Sequence, residues 1–323
     1  MAKTISFAEI GGPEVLTLTD AAIAAPAFGE VQVRNTAIGL NFIDIYKRRG
    51  LYPVPLPAIL GEEAVGIIEA VGDGVCGYSP GDRVVYLAGG GAYAELSNTP
   101  GTSAVKLPDG VSSDIAAASF LKGLTVEMLV RQVFALQAGH TVLVHAAAGG
   151  VGTLLCQWAD HIGARVIGVV GSVAKAALAK ENGASEVIVR AETPDIAARV
   201  RELTQGRGVN VVYDSVGAAT FQGSLDALAP RGHMVTFGNA SGPVPPVAPL
   251  DLSRRGSLSL TRPTLFHYAT PDGMPAMAET LFHHLENGAL RPQISEIFLL
   301  DKAADAHRRL ESGETTGAII LKP

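Results

Sequence analysis

Positions 141 to 152, TVLVHAAAGGVG, run from a short apolar segment straight into a glycine-rich turn and the start of a helix. That junction opens a series. RVIGVVG, EVIVR, VNVVYDSVG and HMVTFG follow, and between them the segments around AKAALAKEN, DIAARVRELT and FQGSLDALA carry apolar residues at helical spacing. Strands this apolar, each followed by a helix, must be covered on both faces, which requires a parallel sheet between helical layers. No other feature of the chain restricts its fold as tightly.

Laid on the pattern GxGxxG, the turn has Ala147, Gly149 and Gly152 at the three glycine positions. The first serves the tight turn, which alanine tolerates at negative φ. The second lets backbone approach a pyrophosphate, and the third allows helix-to-strand packing. The stricter demands fall on Gly149 and Gly152, and both are present. Gly150 and Val151 then open a helix whose first N–H groups and dipole suit a phosphate. A fold of this kind that selects NAD places an acid about twenty residues on, at the end of the second strand. Here Gly168-Val169-Val170-Gly171-Ser172 contains none, and Lys175 follows one turn into the next helix. Lys175 and the Ser172 hydroxyl therefore predict a 2′-phosphate site, and NADPH over NADH.

From residue 4 to about 120 the texture differs. TISFAE, EVQVRNTAIGL, AVGIIEAVG, GDRVVYL and AYAEL alternate with a period near two between GG, PG and DG pairs, predicting an irregular β-barrel or sandwich. ASFLKGLTVEMLVRQVFAL predicts a helix linking this domain to the next. SLSLTRPTL at 257 to 265 alternates as a last, edge strand. MPAMAETLFHHLENGAL predicts a helix, and a strand-helix-strand tail closing on GAIILKP returns to the first domain. The 323 residues fit two domains. Their expected bounds are 1–122, completed by 266–323, and 123–265.

The net charge of −6, with only short basic clusters, excludes a nucleic-acid footprint. MAKTISFAEIGG has no apolar signal region and no apolar run reaches about 18 residues, so a cytoplasmic protein without a membrane partner is expected. Cys76 and Cys156 stand far apart with no CxxC pairing, which excludes a disulfide framework or a cysteine-rich zinc lobe.

Together with LNFIDIY at 40 to 46, SFLKGLTV at 119 to 126, VYDSVG at 212 to 217 and FGNASG at 237 to 242, these motifs closely resemble the zinc-independent quinone oxidoreductases of the medium-chain dehydrogenase/reductase superfamily. The resemblance spans essentially the whole chain. It implies an α/β protein with a GroES-like β-barrel catalytic domain plus a Rossmann domain with a doubly wound parallel sheet. It also implies NADPH as donor, an active site in the cleft between domains, and a homodimer in which the last Rossmann strands pair. Position by position, Asn41, Phe42, Ile43, Asp44 and Tyr46 resemble the segment facing the nicotinamide, and Thr125 the linker-helix residue that reaches it. Gly150 and Val151 resemble the pyrophosphate contacts, and Gly171, Ser172 and Lys175 the 2′-phosphate clamp. Ser215, Phe237, Gly238, Asn239 and Ser241 resemble the ribose and nicotinamide edge, and Arg262 and Pro263 the carboxamide side. Two departures stand out. Arg190 replaces a tyrosine often found near the adenine and can still stack or pair with phosphate, whereas Gly313, before Glu314, replaces a basic residue.

Zinc-dependent relatives carry cysteine at the position of Asn41 and a GHE triplet where this chain reads Gly61-Glu62-Glu63. Asp44, Glu62 and Glu63 alone are a hard oxygen set unsuited to zinc, so no metal is expected, and these acids are expected to bond backbone amides or face solvent. The histidines form no ligand set: His283 and His284 point to different faces of a helix, and His161, His233, His267 and His307 have no visible partners. His145, ending the first Rossmann strand, is a candidate for orienting the cofactor loop.

Without a Lewis acid to activate an alcohol, a ready hydride acceptor such as a quinone fits best. Tyr46 and Tyr52 are the expected donors to the developing oxyanion, with Asn41 as a further donor. An NADPH-dependent reductase of α,β-unsaturated carbonyls is the competing enzyme. A non-enzymatic NADPH-binding or RNA-binding crystallin-like protein is the competing class, opposed by the acidic balance and the complete cofactor turn.

Overall fold

The computed structural model describes residues 1–323, which divide into two units. The first comprises Met1–Lys122, Pro271–Glu286 and Pro292–Pro323, and the second Gly123–Thr270 with Asn287–Arg291. In chain order the elements are β1 (Ala2–Phe7), β2 (Thr17–Ala21), β3 (Glu30–Gly39), α1 (Phe42–Arg48), β4 (Ala58–Ile59), β5 (Glu63–Val71), β6 (Arg83–Leu87), β7 (Leu96–Pro100), β8 (Ala104–Lys106) and α2 (Ser113–Glu127). The second run is β9 (Thr141–His145), α3 (Gly150–Ile162), β10 (Arg165–Val170), α4 (Ala176–Glu181), β11 (Glu186–Val189), α5 (Ile196–Leu203), β12 (Val209–Asp214), α6 (Phe221–Ala227), β13 (Leu228–Thr236), α7 (Pro249–Arg254) and β14 (Ser259–Thr261). The tail holds α8 (Met274–Glu286), β15 (Ile294–Leu299), α9 (Ala303–Glu311) and β16 (Ala318–Lys322).

In the first unit a seven-stranded sheet runs β15-β16-β3-β5-β6-β8, with β7 also paired to β3, and a small sheet runs β2-β1-β4. Val31 and Val33 of β3 are buried while Arg34 is exposed, the alternation of a half-buried strand. Ile5, Phe7, Ile38, Leu60 and Tyr86 share one core with Leu300, Ala303, Ile319 and Leu321 from the chain's end. AYAEL departs from its expected strand. Ala94 makes only an isolated bridge to Thr4, through the Glu95 N–H to the Lys3 carbonyl and the Ile5 N–H to the Tyr93 carbonyl, while the Tyr93 N–H goes to the Leu60 carbonyl.

The second unit is a six-stranded sheet, entirely parallel, ordered β11-β10-β9-β12-β13-β14. Counted along its own chain this is 3-2-1-4-5-6, the doubly wound order. Leu143, Ile167, Val212, Phe221 and Met234 lie in its core. Of SLSLTRPTL only Ser259–Thr261 pairs, against β13. Pro263 follows and cannot donate to a ladder. The helix α2 widens into a π-helical stretch, Met128–Val133. No helix is long and apolar enough to cross a membrane. The strand order reverses between β9 and β12, and open sheets of this kind take ligands at the carboxyl ends of the strands beside that reversal. The glycine-rich turn leaves β9 at that place, and the loop from Ser215 leaves β12 there.

Candidate cofactor and catalytic site

Gly149 is the N-cap of α3, and no side chain caps the helix. The first-turn N–H groups of any helix lack partners within it, so those of Gly150, Val151 and Gly152 face outward as a ready phosphate cradle. A Cβ at Gly152 would overlap the Ala146 carbonyl and come within 2.9 Å of the Ala147 Cα, which makes glycine obligatory there. Gly149 is less constrained than the pattern suggests. Its φ is −84°, and a Cβ would approach the Ala146 carbonyl at 3.3 Å, a tight contact without overlap. The left-handed residue of the turn is Ala146, with φ of 52°. Ala147 is fully buried, and its methyl lies where a side chain on Gly168 would be, so the glycine in β10 makes room for the alanine in the turn.

The end of β10 is exposed at Gly171 and Ser172, and Ser172 starts the single turn Val173–Lys175. Arg190, also exposed, donates its N–H to the Val170 carbonyl, placing it beside the same strand end. Ser215 and Phe237–Ser241 form interlocked loops. The Phe237 N–H reaches Asp214, the Ser241 N–H and hydroxyl both reach the Val216 carbonyl at 2.8 Å, and a side chain on Gly238 would collide with Ser215. Arg262 Nη1 donates to the Thr236 carbonyl at 2.9 Å, and Pro263 is buried beside it. Thr125 is nearly buried on the part of α2 that belongs to this unit.

In the first unit Asn41 is the N-cap of α1. Phe42 and Tyr46, four residues apart on that helix, have ring centroids 6.1 Å apart, and Tyr46 meets the Tyr52 ring edge-on at 5.4 Å. These three aromatic residues are therefore brought together, with Ile43 half-buried beside them. Asn41 and Asp44 turn inward. Asn41 Nδ2 donates to Glu63 Oε1 at 2.9 Å and to the Gly39 carbonyl at 3.3 Å, so both of its hydrogens are engaged. The fully buried Asp44 carboxylate accepts from the Asn41 N–H (2.9 Å), the Gly61 N–H (3.2 Å) and the Tyr93 hydroxyl (3.2 Å). In this arrangement Asn41 has no amide hydrogen left for a substrate, and position 44 offers a dinucleotide only backbone.

Asp44 and Glu63 bond backbone amides, one of the two expected arrangements, and none of the three acids faces solvent; all are fully buried. Glu63 also accepts the Leu121 N–H at 2.7 Å and lies 3.5 Å from Lys122 Nζ, while Glu62 pairs with Lys47. Burial, then the Glu62 charge, push Asp44 up to about 8. Burial likewise raises Glu62, against the pull of Lys47. His307, for which the sequence offered no partner, lies 3.1 Å from the Tyr93 hydroxyl and 3.0 Å from Arg48 Nη1. Arginine only donates, so Nδ1 of His307 accepts, its Nε2–H points at Tyr93, and the Tyr93 O–H points at Asp44. Burial, with the Arg48 charge, lowers His307 to about 3, and it stays neutral. Tyr93, Lys47, Lys122 and His307 escaped sequence reasoning because their partners lie 15 to 259 residues away.

This donor set does not fit zinc. It offers neither thiolate nor accessible imidazole, its oxygens already hold lysines, amides and a phenol, and no group of three His, Cys, Asp or Glu side chains is arranged around a metal position. The cradle of α3 does fit a dinucleotide phosphate. At the C-terminal end, Gly313 has φ of 68° after α9, a conformation that disfavours the basic side chain expected there.

The chain matches the alcohol dehydrogenase GroES-like domain over residues 27–109 and the zinc-binding dehydrogenase family over residues 150–282. It is 52% identical to a quinone oxidoreductase of Pseudomonas aeruginosa, over the full length of both chains. It is 40% identical to a 2-haloacrylate reductase of Burkholderia, covering 97% of this chain and 96% of the relative. The crystal structure of Escherichia coli quinone oxidoreductase complexed with NADPH superposes with a TM-score of 0.97 at 45% identity, over 99% of this chain and 100% of that one.

Proposed function

The chain belongs to the quinone oxidoreductase family, and from that premise we propose that it is an enzyme transferring hydride from NADPH to a quinone without zinc. The observation that carries the reading is the uncapped start of α3 at the reversal point of the sheet, where Gly152 admits no side chain, next to a β10 end that carries no acid. NADPH supplies the hydride when bound. Gly150, Val151 and Gly152 bind its pyrophosphate through backbone N–H groups, Gly149 lets the phosphate approach the turn, and Gly171, Ser172, Lys175 and Arg190 receive the 2′-phosphate and adenine. Ser215, Phe237, Gly238, Asn239, Ser241, Arg262 and Pro263 orient the ribose and nicotinamide, with Phe42, Ile43 and Thr125 completing the surround. Tyr46 and Tyr52 hydrogen-bond to the quinone oxygen as it gains charge and pass it a proton. Asn41 acts by holding Glu63.

In this reading residues 1–122 with 266–323 form the catalytic domain and 123–265 the NADPH domain. The chain works as a homodimer through the open edge of β14. The two free thiols suit a reducing, cytoplasmic setting. The test is NADPH oxidation with a panel of acceptors. Lys175→Ala raises the KM for NADPH about tenfold and leaves that for NADH unchanged. Equal wild-type affinities for NADPH and NADH would refute the 2′-phosphate assignment. If Tyr46→Phe and Tyr52→Phe both kept wild-type kcat/KM, solvent would be the proton source.

A second reading, reduction of an α,β-unsaturated carbonyl, draws on the likeness to the 2-haloacrylate reductase. Turnover of a naphthoquinone beside an alkyl enone separates the two. Tight NADPH binding with no oxidation by any acceptor would favour a non-enzymatic role.

A further inference from the structure

One buried polar chain in the second unit is not used by the chemistry above. Asp214, fully buried at the end of β12, accepts four hydrogen bonds: from the N–H groups of Val216 (2.7 Å) and Gly217 (3.1 Å), and from the hydroxyls of Thr220 (2.7 Å) and Ser224 (3.1 Å). The Ser224 hydroxyl proton therefore points at Asp214. Its oxygen is left to accept from His145 Nε2, 2.9 Å away. This fixes the hydrogen of His145 on Nε2 and leaves Nδ1 as the lone-pair side. Nδ1 is buried without a partner, which a bare acceptor tolerates far better than an N–H does. Burial and the Arg190 charge both disfavour a second proton on the ring, against the pull of Asp214.

The place of this chain gives it a role. Strands β9 and β12 are neighbours at the reversal of the sheet, and their ladder ends with Val144 opposite Tyr213. His145 and Asp214 are the next residue on each strand. Beyond the last ladder pair, the bridge through Ser224 joins the strand end that enters the phosphate turn to the one that enters the Ser215–Gly217 loop. Thr220 ties that loop a second time, its backbone N–H donating to the Gly217 carbonyl at 3.0 Å.

We propose that His145, with its hydrogen on Nε2, is a positioning residue for the dinucleotide, setting the pyrophosphate turn against the ribose-side loop through Ser224 and Asp214. The proposal rests on the NADPH reading and is tested on the full chain by fluorescence titration with NADPH and by quinone turnover. Ser224→Ala, which removes the bridge, is expected to raise the Kd for NADPH about tenfold while kcat at saturating NADPH stays within about twofold. His145→Leu is expected to match it. His145→Gln, which keeps a donor near the Nε2 position, is expected to recover most of the affinity. In nitrogen NMR at neutral pH, His145 is expected to carry its hydrogen on Nε2. Wild-type affinity in Ser224→Ala would overturn the proposal, as would thermal destabilisation of Ser224→Ala without a change in Kd, or a His145 ring with its hydrogen on Nδ1. If the wild-type chain itself failed to bind NADPH, the dinucleotide reading would fall and this proposal with it.

Discussion

Gly39 has no local signal of importance, yet it stands where two buried groups converge. A methyl there would overlap both the Glu63 carboxylate and the Ala117 carbonyl. Gly39→Ala is therefore expected to destabilise the first unit by about 2–3 kcal/mol, read as a lower Tm in a thermal melt. Gly152→Ala is expected to weaken NADPH binding at least tenfold, because α3 must move off the turn to fit the methyl. Asp44 gives a pH dependence. Its folded value of about 8 lies above the ordinary 3.8, so the folded chain holds that proton more tightly than the unfolded one. The contribution is present below about pH 4 and is lost as pH rises towards about 8. The denaturation midpoint is expected to fall across that window, with a flatter slope in Asp44→Asn. The acids at 44, 62 and 63 were legible as a set that does not suit zinc. That they are buried and held by Lys47, Lys122 and Tyr93 was not legible, since a fold-made ion pair leaves no spacing pattern in the chain.

The strands and helices of the second unit were legible almost one for one, because residues buried on both faces produce long apolar runs that turns punctuate cleanly. The first unit was less so. α1 hides in LNFIDIY, too short for a periodicity to show, and Tyr93 turns AYAEL inward to serve a hydrogen bond. Within the phosphate turn the sequence located the motif but misplaced part of the strain, which rests on Ala146 ahead of Gly149. Ala147 packs into the space left by Gly168, so Ala147→Gly is expected to leave NADPH affinity within about twofold of wild type, measured by titration.

At the scale of the molecule, β14 is a three-residue edge paired on one side only, with Ser259 exposed. If copies join there, Ser259→Lys is expected to weaken self-association at least tenfold by light scattering, while the isolated subunit stays folded. The chain's termini meet in one unit: β16 lies between β15 and β3, with Ile320 opposite Gly39, and His307 of α9 reaches Tyr93. That closure dictates an order of assembly. As the chain leaves the ribosome, the sheet from β9 to β14 is complete by Thr261, whereas the Ile38–Gly39 end of the strand made third stays open on one flank until β16 has been synthesised. The middle of the polypeptide can thus mature before its beginning, reversing the usual head-to-tail sequence of domain folding. Chains cut short between Arg291 and Ala318 would therefore hold a finished nucleotide domain and a barrel still waiting for its closing strand.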